Sequence, residues 1–202
     1  MYQIDPAKKT EIFQDALNEL GNIGAGNAAT ALSQMMNNVV IRLSVTTVRL
    51  ISAVEACSYI SASSPDQMVG VYLDIVGDIR GRMLFLLHRE SVDSLVSAMM
   101  GGMDPSMVPD EMKSSAMQEV GNIITASYIN SLSTMTGLTI DESVPTVIVD
   151  TIEHILAAAI ENNGKVLYVQ SQLRAEAANV RGFFVFMPDS PSFAKLMKAL
   201  GM

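Results

Sequence analysis

The sequence predicts an α/β protein of the α+β kind: two layers, a mainly antiparallel β-sheet with two long helices packed on it, related by an internal pseudo-two-fold repeat. Three observations predict it. A segment at 15–35 returns one hundred positions later at 115–135. Each copy is followed by sequence rich in β-branched residues, as strands require. Turn signals separate the strands inside each half, so neighbours run antiparallel.

The repeat comes first because it governs the rest. "DALNELGNIGAGNAATALSQM" aligns without a gap on "SAMQEVGNIITASYINSLSTM". Ala16, Glu19, Gly21, Asn22, Ile23, Leu32, Ser33 and Met35 match Ala116, Glu119, Gly121, Asn122, Ile123, Leu132, Ser133 and Met135. Later, "IRGRMLF" (79–85) answers "VRGFFVF" (180–186). The seam is "GGMDPSMVPDE" (101–111), where two glycines and two prolines break regular structure. The chain is therefore expected to be one pseudo-symmetric domain, 1–202, with halves of about 1–102 and 103–202.

In order, the first half begins with a long helix over 8–36 and continues into "VVIRLSVTTVRLI" as strand. A turn at "SSPDQ" precedes strands near 69–76 and 82–88, and "SVDSLVSAMMGG" reads as a short amphipathic helix. The second half repeats this with a helix over 109–136 and β sequence in "LTIDESVPTVIVD". "HILAAAIENNG" is a helix or turn, strands follow near 165–174 and 180–187, and "SPSFAKLMKALG" closes as a helix.

The bulk properties exclude several classes of function. A net charge of -8 argues against nucleic acid or anionic membrane as partner. Cys57 stands alone, so no intramolecular disulfide forms and a cytoplasmic, reducing home is expected. His88 and His154 sit in different contexts, so neither a His/Cys metal cluster nor a Ser/His/Asp hydrolase is easy to build. "MYQIDPAKKT" is no signal peptide, and no apolar run approaches the roughly 18 residues of a membrane span. The chain has 15 Met and no Trp; core filling is the first role expected of these methionines, adaptable binding surface the second.

At about 100° per residue, Phe13, Leu17, Leu20, Gly24, Ala28, Ala31 and Met35 share a narrow arc that is expected to be buried. Asp15, Glu19 and Asn22 lie opposite. The second helix puts Met117, Val120, Ile124, Tyr128 and Met135 inward and Ser115, Glu119 and Asn122 outward. One exposed Glu and Asn on a helix would be ordinary solvated residues. Their return in a copy that has diverged elsewhere makes them candidates for a site. Gly21 and Gly121 sit between them, and a helix-interior glycine costs about 1 kcal/mol against alanine, so a close approach is expected to compensate.

"GAGNAA" (24–29) formally fits a dinucleotide-binding pattern. That pattern needs a strand before it and a helix opening on it. Here the glycines fall inside a helix, and the second copy reads "ITASYI". The nucleotide loop is rejected.

Asp or Ser, three residues, Glu, two residues, Asn, then Pro twenty-three positions later is similar to the signature of the CheC and CheX chemotaxis phosphatases. Ser115, Glu119, Asn122 and Pro145 match it in full. Asp15, Glu19 and Asn22 match in the first half, but position 45 is Val45. The resemblance covers essentially the whole chain, and two sites at this length favour the CheC branch. It implies hydrolysis of the aspartyl phosphate of the response regulator CheY, with Asn22 and Asn122 orienting water and Glu19 and Glu119 docking to a lysine of the regulator. Asp15 and Ser115 would add secondary contacts, and Pro145 would shape the entry to a strand. No cofactor of its own is expected, since Mg²⁺ would belong to the phosphorylated partner. The receptor deamidase CheD is a second expected partner. The rival from another class is a non-enzymatic adaptor of the chemotaxis and flagellar switch system.

Overall fold

The computed structural model describes residues 6–36, 40–62, 67–159, 165–175 and 178–201. The first half runs α1 (Pro6–Met35), β1 (Arg42–Ser52), α2 (Ala53–Ser61), β2 (Met68–Gly77), β3 (Gly81–His88) and α3 (Arg89–Met99). The second runs α4 (Asp110–Thr136), β4 (Ile140–Glu142), β5 (Thr146–Asp150), α5 (Ile152–Ala159), β6 (Lys165–Ala175), β7 (Ala178–Pro188) and α6 (Ser190–Ala199). In the connector between α3 and α4, Asp104 caps a single 3₁₀ turn, Pro105–Met107, by accepting from the Ser106 N–H. Both long helices fall where the periodicity puts them. Asp110 and Glu111 place negative charge in the first turn of α4, and Gly137, at φ 69°, ends it in the left-handed region.

All strands join one antiparallel sheet in the order β1-β6-β7-β3-β2-β4, with β5 beside β4 on the same edge of β2. Exchanging β1 with β5, β2 with β6 and β3 with β7 reproduces this order read backwards. At the centre, Leu84 of β3 lies directly opposite Val185 of β7. These are the residues that the two Arg-Gly segments bring into alignment.

One face of the sheet carries α1, α4, α3 and α6, with Leu17, Leu20, Leu32, Val120, Ile124 and Tyr128 packed on Phe85, Phe184 and Phe186. Tyr128 stacks on Phe184 with ring centroids 4.3 Å apart. Burial of each such ring contributes roughly 1.5–3 kcal/mol.

The expected layer count needs correction. The other face is covered too: Ala53, Ala56 and Ile60 of α2 and Ile152, Ile155 and Leu156 of α5 pack on Leu84, Leu86, Phe183 and Val185. The protein is therefore an α+β fold in three layers. A capping box starts α2: the Ser52 hydroxyl accepts from the Glu55 N–H at 3.2 Å, and the Glu55 carboxylate accepts from the Ser52 N–H at 2.8 Å. The β sequence at 138–150 is split into β4 and β5 around Pro145. The expected turn at 63–67 lies outside the described residues except for Gln67, as does the end of "HILAAAIENNG" beyond Ala159.

Candidate functional site on the two long helices

The glycines explain how each helix is oriented. A Cβ added to Gly21 would lie 2.9 Å from Val48 Cγ2 on β1, and one added to Gly121 would lie 2.5 Å from Val71 Cγ1 on β2. Each Glu-x-Gly-Asn segment thus sits with its glycine pressed on a valine of the sheet. The Glu two residues before each glycine, about 200° round the helix, must then face outward, and the Asn just after it, about 100° round, lies on the flank. At Gly24 an added Cβ would meet the Tyr128 ring at 2.5 Å, so this glycine lets α1 approach α4. Only Gly26 of the glycine-rich tail has nothing within 4 Å. All three glycines of "GNIGAG" lie inside α1, where their N–H groups serve the helix and not a pyrophosphate.

Asp15, Glu19 and Asn22 are exposed on α1, and Ser115 and Glu119 are exposed on α4. Asn122 is half-buried, a difference from its expected exposure. Leu17, Leu20, Gly24 and Ala28 are buried as the wheel places them, as are Met117, Val120, Ile124 and Tyr128. Ala31, Met35 and Met135 are half-buried, and the Phe13 side chain lies outside the described ones. Among the described residues, none of the six polar side chains has a hydrogen bond or ion pair. Their donors and acceptors are open to solvent or to a partner.

Two glutamines that the sequence reading did not single out tie these helices to the sheet. Gln14 Nε2, next to Asp15, donates to the Val48 carbonyl at 2.9 Å. Gln118 Nε2, next to Glu119, donates to the Pro145 carbonyl at 3.2 Å. Pro145 is half-buried in the short break between β4 and β5. At the matching place in the first half β1 stays continuous, with a register irregularity between Val45 and Thr47. Both halves thus depart from regular strand beside the polar helix face, by a proline in one and a bulge in the other. Their places beside Asp15 and Glu119 on the polar helix faces were the available clue to the glutamines.

Two concave regions of the surface are lined by neither trio. One is apolar, between α1, α6 and the sheet, and the other, of about 340 Å³, lies between α3, α4 and β5 with the Lys113–Asp93 ion pair on its wall. A small-molecule site is normally concave. Glu and Asn on convex helix faces suit a macromolecular partner that supplies the cavity itself. Among the described residues no three His, Cys, Asp or Glu side chains gather as a metal would require, and no helix is long and apolar enough to cross a membrane.

The comparisons with known proteins meet this geometry directly. The model of the CheC-like family matches residues 12–45 and 112–149, the two helix-to-strand segments that hold both trios. Both halves of the chain are thus similar to the CheC-like family. The chain is 29% identical over 196 residues to the CheY-P phosphatase CheC of Bacillus subtilis (strain 168), covering 93% of each. Its fold matches the crystal structure of Thermotoga maritima FliY with a TM-score of 0.76 at 25% identity, over 99% of this chain and 98% of that one. The FliM middle domain of Vibrio alginolyticus matches with a TM-score of 0.68 at 14% identity, over 91% and 99%, a likeness of fold alone.

Proposed function

We propose that this CheC-like chain is a phosphatase that hydrolyses the aspartyl phosphate of a CheY-type response regulator. The observation that carries it is the pair of outward helix faces, each holding a Glu and an Asn one turn apart with no intramolecular partner among the described residues. Support comes also from the B. subtilis relative, which is named a CheY-P phosphatase.

An aspartyl phosphate is an acyl phosphate and is already reactive. Its hydrolysis needs a water held in line with the carboxylate that leaves: the water oxygen bonds to phosphorus, the P–O bond to the aspartate breaks, and its electron pair stays on the carboxylate. Inorganic phosphate takes up the water's atoms. Phosphoryl transfer of this kind is accelerated by positioning and charge stabilisation. The carboxamides of Asn22 and Asn122 both donate and accept, so each fixes a water's orientation without acting as a strong base. Glu19 and Glu119 repel a phosphoryl group and instead pair with a lysine beside it, which docks and aims the Asn. Asp15 and Ser115 add contacts at the edge. Pro145, through the Gln118 bond to its carbonyl, holds the loop beside α4. Mg²⁺ belongs to the regulator.

The second site ranks above the first. It has the full Ser-Glu-Asn-Pro pattern, and the half-buried Asn122 has fewer orientations to give up on binding. CheD binding, a cytoplasmic home and action as a single two-site domain belong to the same proposal. Fold alone does not separate this reading from a non-enzymatic adaptor of the chemotaxis and flagellar switch system. The test is phosphate loss from phosphorylated regulator mixed with the chain, with and without CheD. Acceleration is expected, and none in either condition would favour the adaptor.

A further inference from the structure

The outward ridge of α4 that carries exposed Ser115 and Glu119 and half-buried Asn122 continues toward the helix N-terminus into a large apolar side chain. Met112 precedes these residues by three, seven and ten positions. At about 100° per residue the four lie within an arc of about 80°. Met112 is 49% exposed, and just ahead of it Met103 is 49% and Met107 76% exposed. Among the described residues these are the strongly exposed methionines of a chain that has 15, and all three fall directly before the second site. Packing of α4 does not call for them. This end of α4 is anchored instead by the Lys113–Asp93 ion pair at 2.7 Å and, a turn further on, by buried Met117. The aligned position in α1 is also apolar, Ile12, although its side chain lies outside the described ones.

A lone exposed Glu and Asn bring little affinity, because an exposed ion pair is solvated and screened. Affinity must come from apolar surface near them, and that surface must also keep water off the polar contacts. Methionine is suited to this, being flexible and polarizable enough to fit a surface it does not match in advance.

The geometry points to Met112, with the exposed Met103 and Met107 ahead of it in the chain, as the apolar contact that seats the phosphorylated regulator on the second site. The inference rests on the phosphatase reading above and names the chemistry of the docking: an apolar patch of the regulator beside its phosphorylated aspartate. Met112 contributes to binding in the ground and transition states alike, so it sets KM and leaves kcat alone.

The test uses the full chain with Asn22→Ala, so that only the second site turns over. Met112→Gln, close in length and a good helix former, is expected to raise KM about tenfold with kcat unchanged within about twofold. Its Kd for the regulator carrying beryllofluoride in place of the phosphoryl group rises by a similar factor. Met112→Leu restores both. Unchanged KM and Kd, or a loss confined to kcat, would overturn the inference while the phosphatase reading stands. A parent chain that binds the beryllofluoride form without hydrolysing phosphate would sink the phosphatase reading, and the Kd comparison would still decide the role of Met112. A parent that neither binds nor hydrolyses would end both.

Discussion

Gly121 of α4 lies so close to Val71 of β2 that a Cβ would come within 2.5 Å of Val71 Cγ1 and 2.8 Å of its Cβ. Valine has one stiff χ1 torsion and cannot swing its methyls aside. The contact fixes both the depth of α4 on the sheet and its rotation, and hence the direction of Glu119 and Asn122. Gly121→Ala is expected to destabilise by about 1–3 kcal/mol despite alanine's better helix propensity. Urea unfolding checks this. A stability gain would mean that the helix is free to lift off the strand.

Gly26 is the contrasting case. Nothing stands within 4 Å of an added Cβ there, and the position is exposed within α1. Gly26→Ala is expected to stabilise the chain by about 1 kcal/mol. The two substitutions have identical chemistry and opposite signs, so comparing their denaturation midpoints isolates the packing effect.

Much of this was legible in the sequence. The two long helices, the strand positions and the outward placement of Glu19, Asn22 and Glu119 follow from periodicity and from the recurrence of a few letters. The third layer was not read, yet its clues were present. "MLFLL" and "FFVF" are continuous apolar runs, which a strand needs only when both faces are covered, and Ser52 with Glu55 makes a capping box for a helix too short to show a strong period. Other features were out of reach. That Gly21 meets Val48 while Gly24 meets Tyr128, or that Gln118 reaches Pro145, depends on which elements the tertiary fold brings together.

Tyr128 gives the fold an alkaline weakness. Its hydroxyl is buried with no hydrogen-bond partner among the described residues, and burial pushes its pKa up from the usual value. In the unfolded chain a tyrosine ionises near pH 10. The neutral folded form therefore contributes fully below about pH 10, and stability falls as pH rises above it. Tyr168, pushed by burial to about 12, acts in the same direction. Tyr128→Phe is expected to be at least as stable at pH 7 and to lose stability less steeply between about pH 10 and 11. An unchanged slope in thermal unfolding would remove Tyr128 from the explanation.

If Glu119 docks to a lysine, the encounter is electrostatic and exposed. Raising ionic strength from about 0.01 to 0.15 M shortens the screening length from about 30 to 8 Å and should raise KM for phosphorylated regulator. Glu119→Gln, in the Asn22→Ala chain, is expected to raise KM at low salt and flatten this salt dependence. Steady-state hydrolysis at several salt concentrations checks both. A variant as salt-sensitive as its parent would assign the attraction to other charges.

The central claim is that two outward carboxamides perform the hydrolysis. Its most direct measurement is the single-turnover rate of phosphate loss from phosphorylated regulator with the parent chain, Asn22→Ala, Asn122→Ala and the double variant, all checked for an unchanged melting temperature. The account predicts that Asn122→Ala costs more than Asn22→Ala. It also predicts that the double variant loses about 100-fold or more, roughly 2.7 kcal/mol of barrier, to reach the regulator's own rate. A folded double variant that still turns over the regulator at the parental rate would contradict it.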